Sequence, residues 1–332
     1  MKFVCENCGK KFDQDEECKN HENSCMTNKK QYVYLKYIMA YTEMDDYDVY
    51  VYEYPKAIKV KENYYILNEN LEYVEAIKFL AQRAGMNVPE DAAEDKTALL
   101  KTKILEMNRE AARFYFSELT KPGGKAALDY LLGRGLEPKT IKHFGLGYAP
   151  NDWTRLTDLL ASKGYRYEDM VAAQLSRKSE KSGRYYDVFR DRVMFPIIDV
   201  SGNIVAFGGR VMDDSKPKYL NTSDTPAFKK SRNLFALNFA KKHCEEYMLL
   251  CEGYMDVIAL HCAGFTNAVA TLGTAITPEH ARMLKRYTKK VVISYDSDGA
   301  GQSAADKAFK LLGEVGVETK ILRMNGAKDP DE

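Results

Sequence analysis

The C-terminal ninety or so residues predict an α/β fold, a parallel sheet with flanking helices, preceded by an α+β region and a small N-terminal finger. Three observations point this way. From about Glu245, short apolar runs alternate with amphipathic ones, the pattern of parallel strands joined by helical crossovers. Upstream, residues 184–211 contain RVMFPIID and NIVAFGGRV on either side of Ser201-Gly202-Asn203, in the manner of a hairpin. At the start, four of seven cysteines fall within residues 5–25, around one histidine.

The elements follow in order. Residues 1–27 are polar and Cys-rich. In residues 28–95, the stretch 31–66 (QYVYLKYIMAY, YDVYVYEY, AIKVKENYYIL) is dominated by tyrosine and β-branched residues and predicts two or three strands. LEYVEAIKFLAQRAG then repeats apolar positions every three or four residues, a helix that stops at Gly85 and Pro89. Residues 96–243 begin with an amphipathic helix over 96–119, closed by Lys121-Pro122-Gly123-Gly124, and continue with helices broken at Gly133, Gly135, Pro138 and Pro150. In residues 244–332 the rhythm is regular. EYMLLCE, TNAVAT, KKVVISYD and VETKILRM read as strands, with GYMDVIALHCAG, PEHARMLKRY and AGQSAADKAFKLLGEVG as the helices between them.

Bulk properties set limits. The 332 residues are 45% hydrophobic and 29% charged, with 49 basic against 48 acidic side chains, a net +1. A polyanion-binding role therefore needs positive charge concentrated locally. Residues 216–242 do this, with Lys216, Lys218, Lys229, Lys230, Arg232, Lys241 and Lys242 against the single acid Asp224. Such a run is more often a solvated face, and only its neighbours give it meaning. No stretch is long and apolar enough to span a bilayer, and MKFVCENCGK lacks a signal-peptide core, so no membrane partner and a cytoplasmic, reducing compartment are expected. Cys244, Cys251 and Cys262 lie in apolar or helical contexts and read as buried free thiols.

The chemistry concentrates at strand ends. In an open parallel sheet, ligands bind beyond the carboxyl ends of the strands. Glu252 ends the first strand of the regular region, and Asp296 and Asp298 end the third, in Tyr295-Asp296-Ser297-Asp298-Gly299-Ala300-Gly301. Three carboxylates on one edge suit Mg²⁺ or Mn²⁺, which keep water and substrate phosphate in their remaining positions. Such an ion serves phosphoryl transfer. Asp298 also suits the N-cap of the helix that follows.

These motifs are specific. Glu252-Gly253-Tyr254-Met255-Asp256-Val257, Ala270-Thr271-Leu272-Gly273-Thr274 and the DxDGAG loop resemble the Toprim domain of bacterial DNA primases of the DnaG type. Arg192-Val193-Met194-Phe195-Pro196-Ile197, Phe207-Gly208-Gly209-Arg210, Pro217-Lys218-Tyr219-Leu220-Asn221 and residues 128–148 resemble the same family's polymerase core. The resemblance covers about residues 68–332 and implies a Toprim sheet over 244–332 and an N-terminal polymerase-core subdomain over 96–243. It adds Asp256, Asp329 and Asp331 to the acidic metal set, and it marks Arg134, Arg210, Lys218, Tyr219, Asn221 and Lys230 as nucleotide- or template-binding. The implied activity is a DNA-directed RNA polymerase making short RNA primers on single-stranded DNA at replication forks, in the primosome. Its partners are the template, NTPs, the RNA–DNA hybrid and, in the family, the replicative helicase. Tyr254 is not expected to be a nucleophile, because the topoisomerase nucleophile lies outside the Toprim domain.

The N-terminus departs from the family. Cys5-x2-Cys8-x12-His21-x3-Cys25 has the spacing of a small ββα zinc finger, with Phe3 and Phe12 where such a finger packs its core. A structural Zn²⁺ on Cys5, Cys8, His21 and Cys25 is expected. It stands where the family carries a larger zinc ribbon, of which residues 28–95 resemble a remnant. The chain ends at Glu332, directly after Asp329-Pro330-Asp331, and the family's helicase-binding domain has no counterpart, so a truncated or split product is expected. Two other readings stay open: a Toprim nuclease or topoisomerase-like enzyme, and a nucleic-acid-binding protein without polymerase activity.

Overall fold

The computed structural model describes residues 3–4, 11–12, 57–60, 63–66 and 92–322. Phe3–Val4 (β1) and Lys11–Phe12 (β2) pair antiparallel, with Phe3 opposite Phe12. Ala57–Val60 (β3) and Asn63–Ile66 (β4) form a second antiparallel pair. The quartet Cys5, Cys8, His21 and Cys25, the helix expected over 70–85, and Asp329 and Asp331 lie outside the described residues.

The described residues 92–322 belong to one compact unit. Its first helix, Ala92–Leu119 (α1), begins four residues before the expected start, because Ala92-Ala93-Glu94 extend it with strong helix formers. It ends before Pro122, which cannot continue the hydrogen-bond ladder. Ile104, Met107, Ala111 and Tyr115 recur at three- and four-residue spacing and are buried. Lys125–Gly133 (α2) and Pro138–Phe144 (α3) follow, and Gly145 closes α3 in the left-handed conformation. Gly147–Ala149 (β5), Arg155–Ser162 (α4), Tyr167–Ala172 (α5), Ser176–Lys178 (β6) and Tyr185–Asp187 (β7) lead into the long hairpin Arg192–Ile198 (β8) and Ile204–Arg210 (β9). Tyr219–Asn221 (β10) completes an antiparallel sheet of order β10-β9-β8-β5.

After Leu237–Ala240 (α6) comes the expected alternation. Met248–Cys251 (β11), Tyr254–Cys262 (α7), Ala268–Ala270 (β12), Pro278–Lys285 (α8), Lys290–Ser294 (β13), Gly299–Glu314 (α9) and Glu318–Ile321 (β14) run in sequence. The strands are parallel, in the order β12-β11-β13-β14.

The period-two pleat divides the core into three layers. Val193, Phe195 and Ile197 of β8 face the same central layer as Leu249 and Cys251 of β11, together with α2, α3 and α7. Met194 and Phe207 face outward against α1. On the far side, Met248, Leu250, Val291 and Ile293 pack on α8 and α9. Among the described residues, no helix is long and apolar enough to cross a membrane.

Candidate active site

The chain leaves β11 through α7 toward β12 on one side, and leaves β13 through α9 toward β14 on the other. Between β11 and β13 the connections part, which opens a crevice at the carboxyl edge of the sheet. Cys251 and Ser294 are in register there, so the residues just beyond them, Glu252 and Asp296, meet. The Asp296 backbone N–H donates to Glu252 Oε1 at 3.3 Å. Burial, then the charge of Asp296, raises the Glu252 pKa, with Asp298 and Asp256 adding to the push. Neighbouring negative charge and burial both disfavour the ionised form of Glu252.

Glu252, Asp256 and Asp298 each accept from a backbone N–H. Asp256 is buried, and its Oδ2 accepts from the Gly253 N–H at 2.9 Å in the first turn of α7. Asp298 Oδ1 accepts from Ala300 and Gly301 at 3.1 and 2.9 Å and caps α9. A Cβ on Gly301 would lie 2.2 Å from the Asp296 carbonyl oxygen, so only glycine lets α9 approach the Asp296 loop this closely. Among the described residues, no group of three or more His, Cys, Asp or Glu side chains forms a ready-made metal cage. A carboxylate set whose members repel one another still fits Mg²⁺ or Mn²⁺, because such ions take one or two carboxylates and complete their shell with water and phosphate.

The antiparallel sheet reaches the same edge. Asn221 of β10 donates through Nδ2 to the Leu272 carbonyl, just past β12, at 3.0 Å. The Tyr254 hydroxyl in turn donates to Asn221 Oδ1 at 2.7 Å. Tyr254 is buried and stacked on Phe195, with ring centroids 5.2 Å apart, and a Cβ on Gly208 would strike its ring at 2.5 Å. Burial raises the Tyr254 pKa far above the ordinary phenol value, so its hydroxyl serves as a neutral donor. Arg210, opposite Tyr219 in the ladder, donates to the Tyr219 hydroxyl at 3.1 Å and lies over the rings of Tyr130 and Tyr219. Burial is the main cause of a Tyr219 pKa pushed up to about 12.

Two family models match the chain: the N-terminal domain of the DNA primase catalytic core over residues 114–241, and a Toprim-like domain over 249–332. The DNA primase of Clostridium acetobutylicum is 45% identical over 267 residues, covering 80% of this chain and 44% of the relative. That of Deinococcus radiodurans is 45% identical over 265 residues, covering 79% and 45%. A solved DnaG primase catalytic domain bound to single-stranded DNA superimposes with a TM-score of 0.64 at 36% identity, over 70% of this chain and 77% of that one. A primase domain from Pseudomonas aeruginosa gives 0.63 at 42%, over 69% and 73%. The chain belongs to the DnaG-type DNA primase family. It spans less than half the length of these curated primase relatives.

Of the primase residues expected from sequence, the fold brings Glu252 and Asp296 into contact, with Asp298 and Asp256 close enough to act on Glu252. It joins Arg210 to Tyr219, and Asn221 to the Toprim part. Arg134 caps the end of α2 on the exposed surface, Lys218 is exposed just before β10, and Lys230 sits in a one-turn 3₁₀ helix, Lys230–Arg232. Sequence reasoning missed Arg192. Its Nη1 donates to the Gly209 and Pro217 carbonyls at 3.2 and 3.0 Å and ties the Lys218 segment to β9. Nothing in the run RVMFP distinguishes this structural arginine from a phosphate ligand.

Proposed function

We propose that this chain is the catalytic core of a DNA primase, joining ribonucleotides into a short RNA primer on single-stranded DNA. The observation that supports it best is the sharing of one sheet edge. Glu252, Asp296 and Asp298 stand at the switch point, and β10, with its flanking cations, is fastened to the loop just past β12. In the reaction, a primer 3′-hydroxyl gives up its proton to water as its oxygen bonds to the α-phosphorus of an incoming NTP, and the bond from that phosphorus to the β-phosphate bridge breaks, releasing pyrophosphate. Glu252, Asp296 and Asp298 would hold Mg²⁺ or Mn²⁺, and Asp256, Asp329 and Asp331 complete the acidic set that the family resemblance implies. Held there, such an ion would orient the triphosphate and lower the nucleophile's pKa. Arg134, Arg210, Lys218, Tyr219, Asn221 and Lys230 bind nucleotide and template, because Arg and Lys supply charge and donors for phosphate.

Residues 96–243 then act as the cationic half and 244–332 as the acidic half of one site. Residues 1–27 serve as a finger holding Zn²⁺ on Cys5, Cys8, His21 and Cys25, attached through 28–95, for template reading or docking. The solved relative bound to single-stranded DNA supports the choice of template.

The test is direct. The chain is incubated with single-stranded DNA, NTPs and Mg²⁺ or Mn²⁺, and short RNA products are resolved on a gel. Products that disappear in Asp296→Ala are expected. DNA cleavage instead would move the chain to the Toprim nucleases, and binding without synthesis would make it a non-catalytic binder.

A further inference from the structure

His280 is completely buried, yet every nitrogen on its ring has a partner. Its Nδ1 accepts from the Thr277 backbone N–H at 3.2 Å, while the His280 N–H donates back to Thr277 Oγ1 at 3.2 Å. These two bonds form a reciprocal box at the N-terminus of α8. The other nitrogen, Nε2, lies 2.8 Å from the Lys230 carbonyl and 3.1 Å from the Asn233 carbonyl. Both are acceptors, so Nε2 carries the proton and the imidazole is neutral. Thr277 adds a bond from its hydroxyl to the Ser231 carbonyl at 3.3 Å.

Three carbonyls of one basic turn are therefore gripped from α8. The turn carries Lys229, Lys230 and Arg232. Its downstream end is bridged to β12 by Phe235 and Ala270, at the carboxyl end of that strand, so the grip lies on the acidic edge of the sheet.

Within the Lys229–Asn233 turn, Lys229 pairs with Asp224 at 3.6 Å, and the Lys230 N–H donates to Asp224 Oδ1 at 3.0 Å. We propose that His280, with Thr277, is a positioning residue for phosphate binding, holding this turn so that its basic side chains contact the phosphates of a template strand or a triphosphate. This rests on the proposed primase reading, and specifically on the basic turn as a phosphate contact. A turn free to move would spread the same charges over many geometries, and each contact would then cost ordering entropy.

The two nitrogens allow the grip and the helix cap to be separated. In His280→Asn the side-chain oxygen can still accept from Thr277, but nothing reaches Lys230. In His280→Gln a longer amide can reach the Lys230 carbonyl, but the Thr277 backbone N–H loses its acceptor, and only the backbone half of the box, from the residue-280 N–H to Thr277 Oγ1, remains. The full chain is assayed for affinity to a fluorescent single-stranded oligonucleotide across salt, for NTP KM and kcat, and for tryptic cleavage after Lys229, Lys230 and Arg232 by mass spectrometry. For H280N we expect cleavage about tenfold faster, and affinity and KM weakened about fivefold with kcat within about twofold, the scale of one or two lost hydrogen bonds. H280Q recovers most of that loss despite a lower Tm. In the K229A/K230A/R232A background, H280N weakens binding no further, because its effect runs through those side chains. Weaker template affinity with unchanged KM assigns the turn to the template, and the reverse assigns it to the triphosphate. H280N with wild-type affinity, or with an equal cost in the triple background, reduces His280 to a helix cap and overturns the inference while the primase reading stands. A wild-type chain that makes no RNA overturns the primase reading, and K229A/K230A/R232A binding as wild type overturns the role of the turn alone.

Discussion

The two four-stranded sheets share one apolar layer, yet they hold their polar residues in different ways. In the parallel sheet, Glu252 and Asp298 stand just past strand ends and Asp256 in the first turn of α7, and all three accept from backbone groups: Glu252 from the Asp296 N–H, Asp256 from Gly253, Asp298 from Ala300 and Gly301. In the antiparallel sheet, Arg210, Tyr219 and Asn221 lie within strands and are fixed by side chains or by the partner sheet. The difference shows how a chain with net +1 can serve a polyanion. Like charges gather on separate supports, and burial together with the neighbouring acids disfavours the charged form of Glu252, a cost that a bound cation would relieve.

The sharpest way to break the comparison is at Glu252. Glu252→Gln keeps the shape and removes one charge from the crowded set. A carboxylate with a raised folded-state pKa costs stability above that pKa, and the cost vanishes below its unfolded value. In metal-free buffer at neutral pH the variant is therefore expected to melt higher than wild type. Primer synthesis should fall by about 10²–10³-fold, the usual scale for losing one preorganised electrostatic group. Thermal melts with and without Mg²⁺, beside a primer assay, check both halves. A lower melting point in the variant would mean that the acids do not repel one another as described.

The same division governs what the sequence disclosed. The alternation from Glu245 onward made the parallel sheet legible, because each strand is a short apolar run beside an amphipathic helix. The β8–β9 hairpin was equally readable. The edge strands β5 and β10 and the β6–β7 pair were not, because each strand has only three residues and is defined by its partner's ladder rather than by its own composition. Glu252, Asp296 and Asp298 announced themselves by standing at strand ends. Arg192 and His280 did not, since both bind backbone carbonyls far away in sequence, and no local pattern encodes that. Asp298 shows a motif residue serving local structure as well, for it caps α9 as its position also allowed.

A smaller effect tests the seam between the sheets. Tyr254→Phe removes the donor to Asn221 Oδ1 and leaves the ring stacked on Phe195. A buried hydrogen bond of this kind contributes about 1–1.5 kcal/mol. The expected loss by urea unfolding is of that size, with a Tm drop of about 2–6 °C. Asn221 then loses one of its two anchors, so NTP KM should rise while kcat changes little. An unchanged KM would show that Leu272 alone is enough to place β10.

The smallest expected effect is a pH dependence that separates the two halves. Burial lowers the pKa of both His280 and His261 from the ordinary 6.5. Both belong to the parallel-sheet half, where His261 Nε2 binds the Ala268 carbonyl at 3.0 Å. Above pH 6.5 each is neutral whether the chain is folded or not, and its contribution is fully present. As the pH falls below that value, the unfolded chain takes up protons that the folded chain refuses, and stability declines until the folded-state pKa is passed. The slope is at most about 1.4 kcal/mol per pH unit for each group. The buried acid of the antiparallel half, Asp187, works the other way, and Glu252 does the same in the parallel half, where it offsets part of the histidine slope. Burial raises the pKa of each, so the cost to stability is present above the folded value and eases as acid is added. Native-state hydrogen exchange at pH 7.5 and pH 5.5 is therefore expected to show protection lost in β11–β13 before β8–β9, with the pH slope reduced in H280Q. Equal loss in both sheets would mean that the shared apolar layer couples them into one unfolding unit.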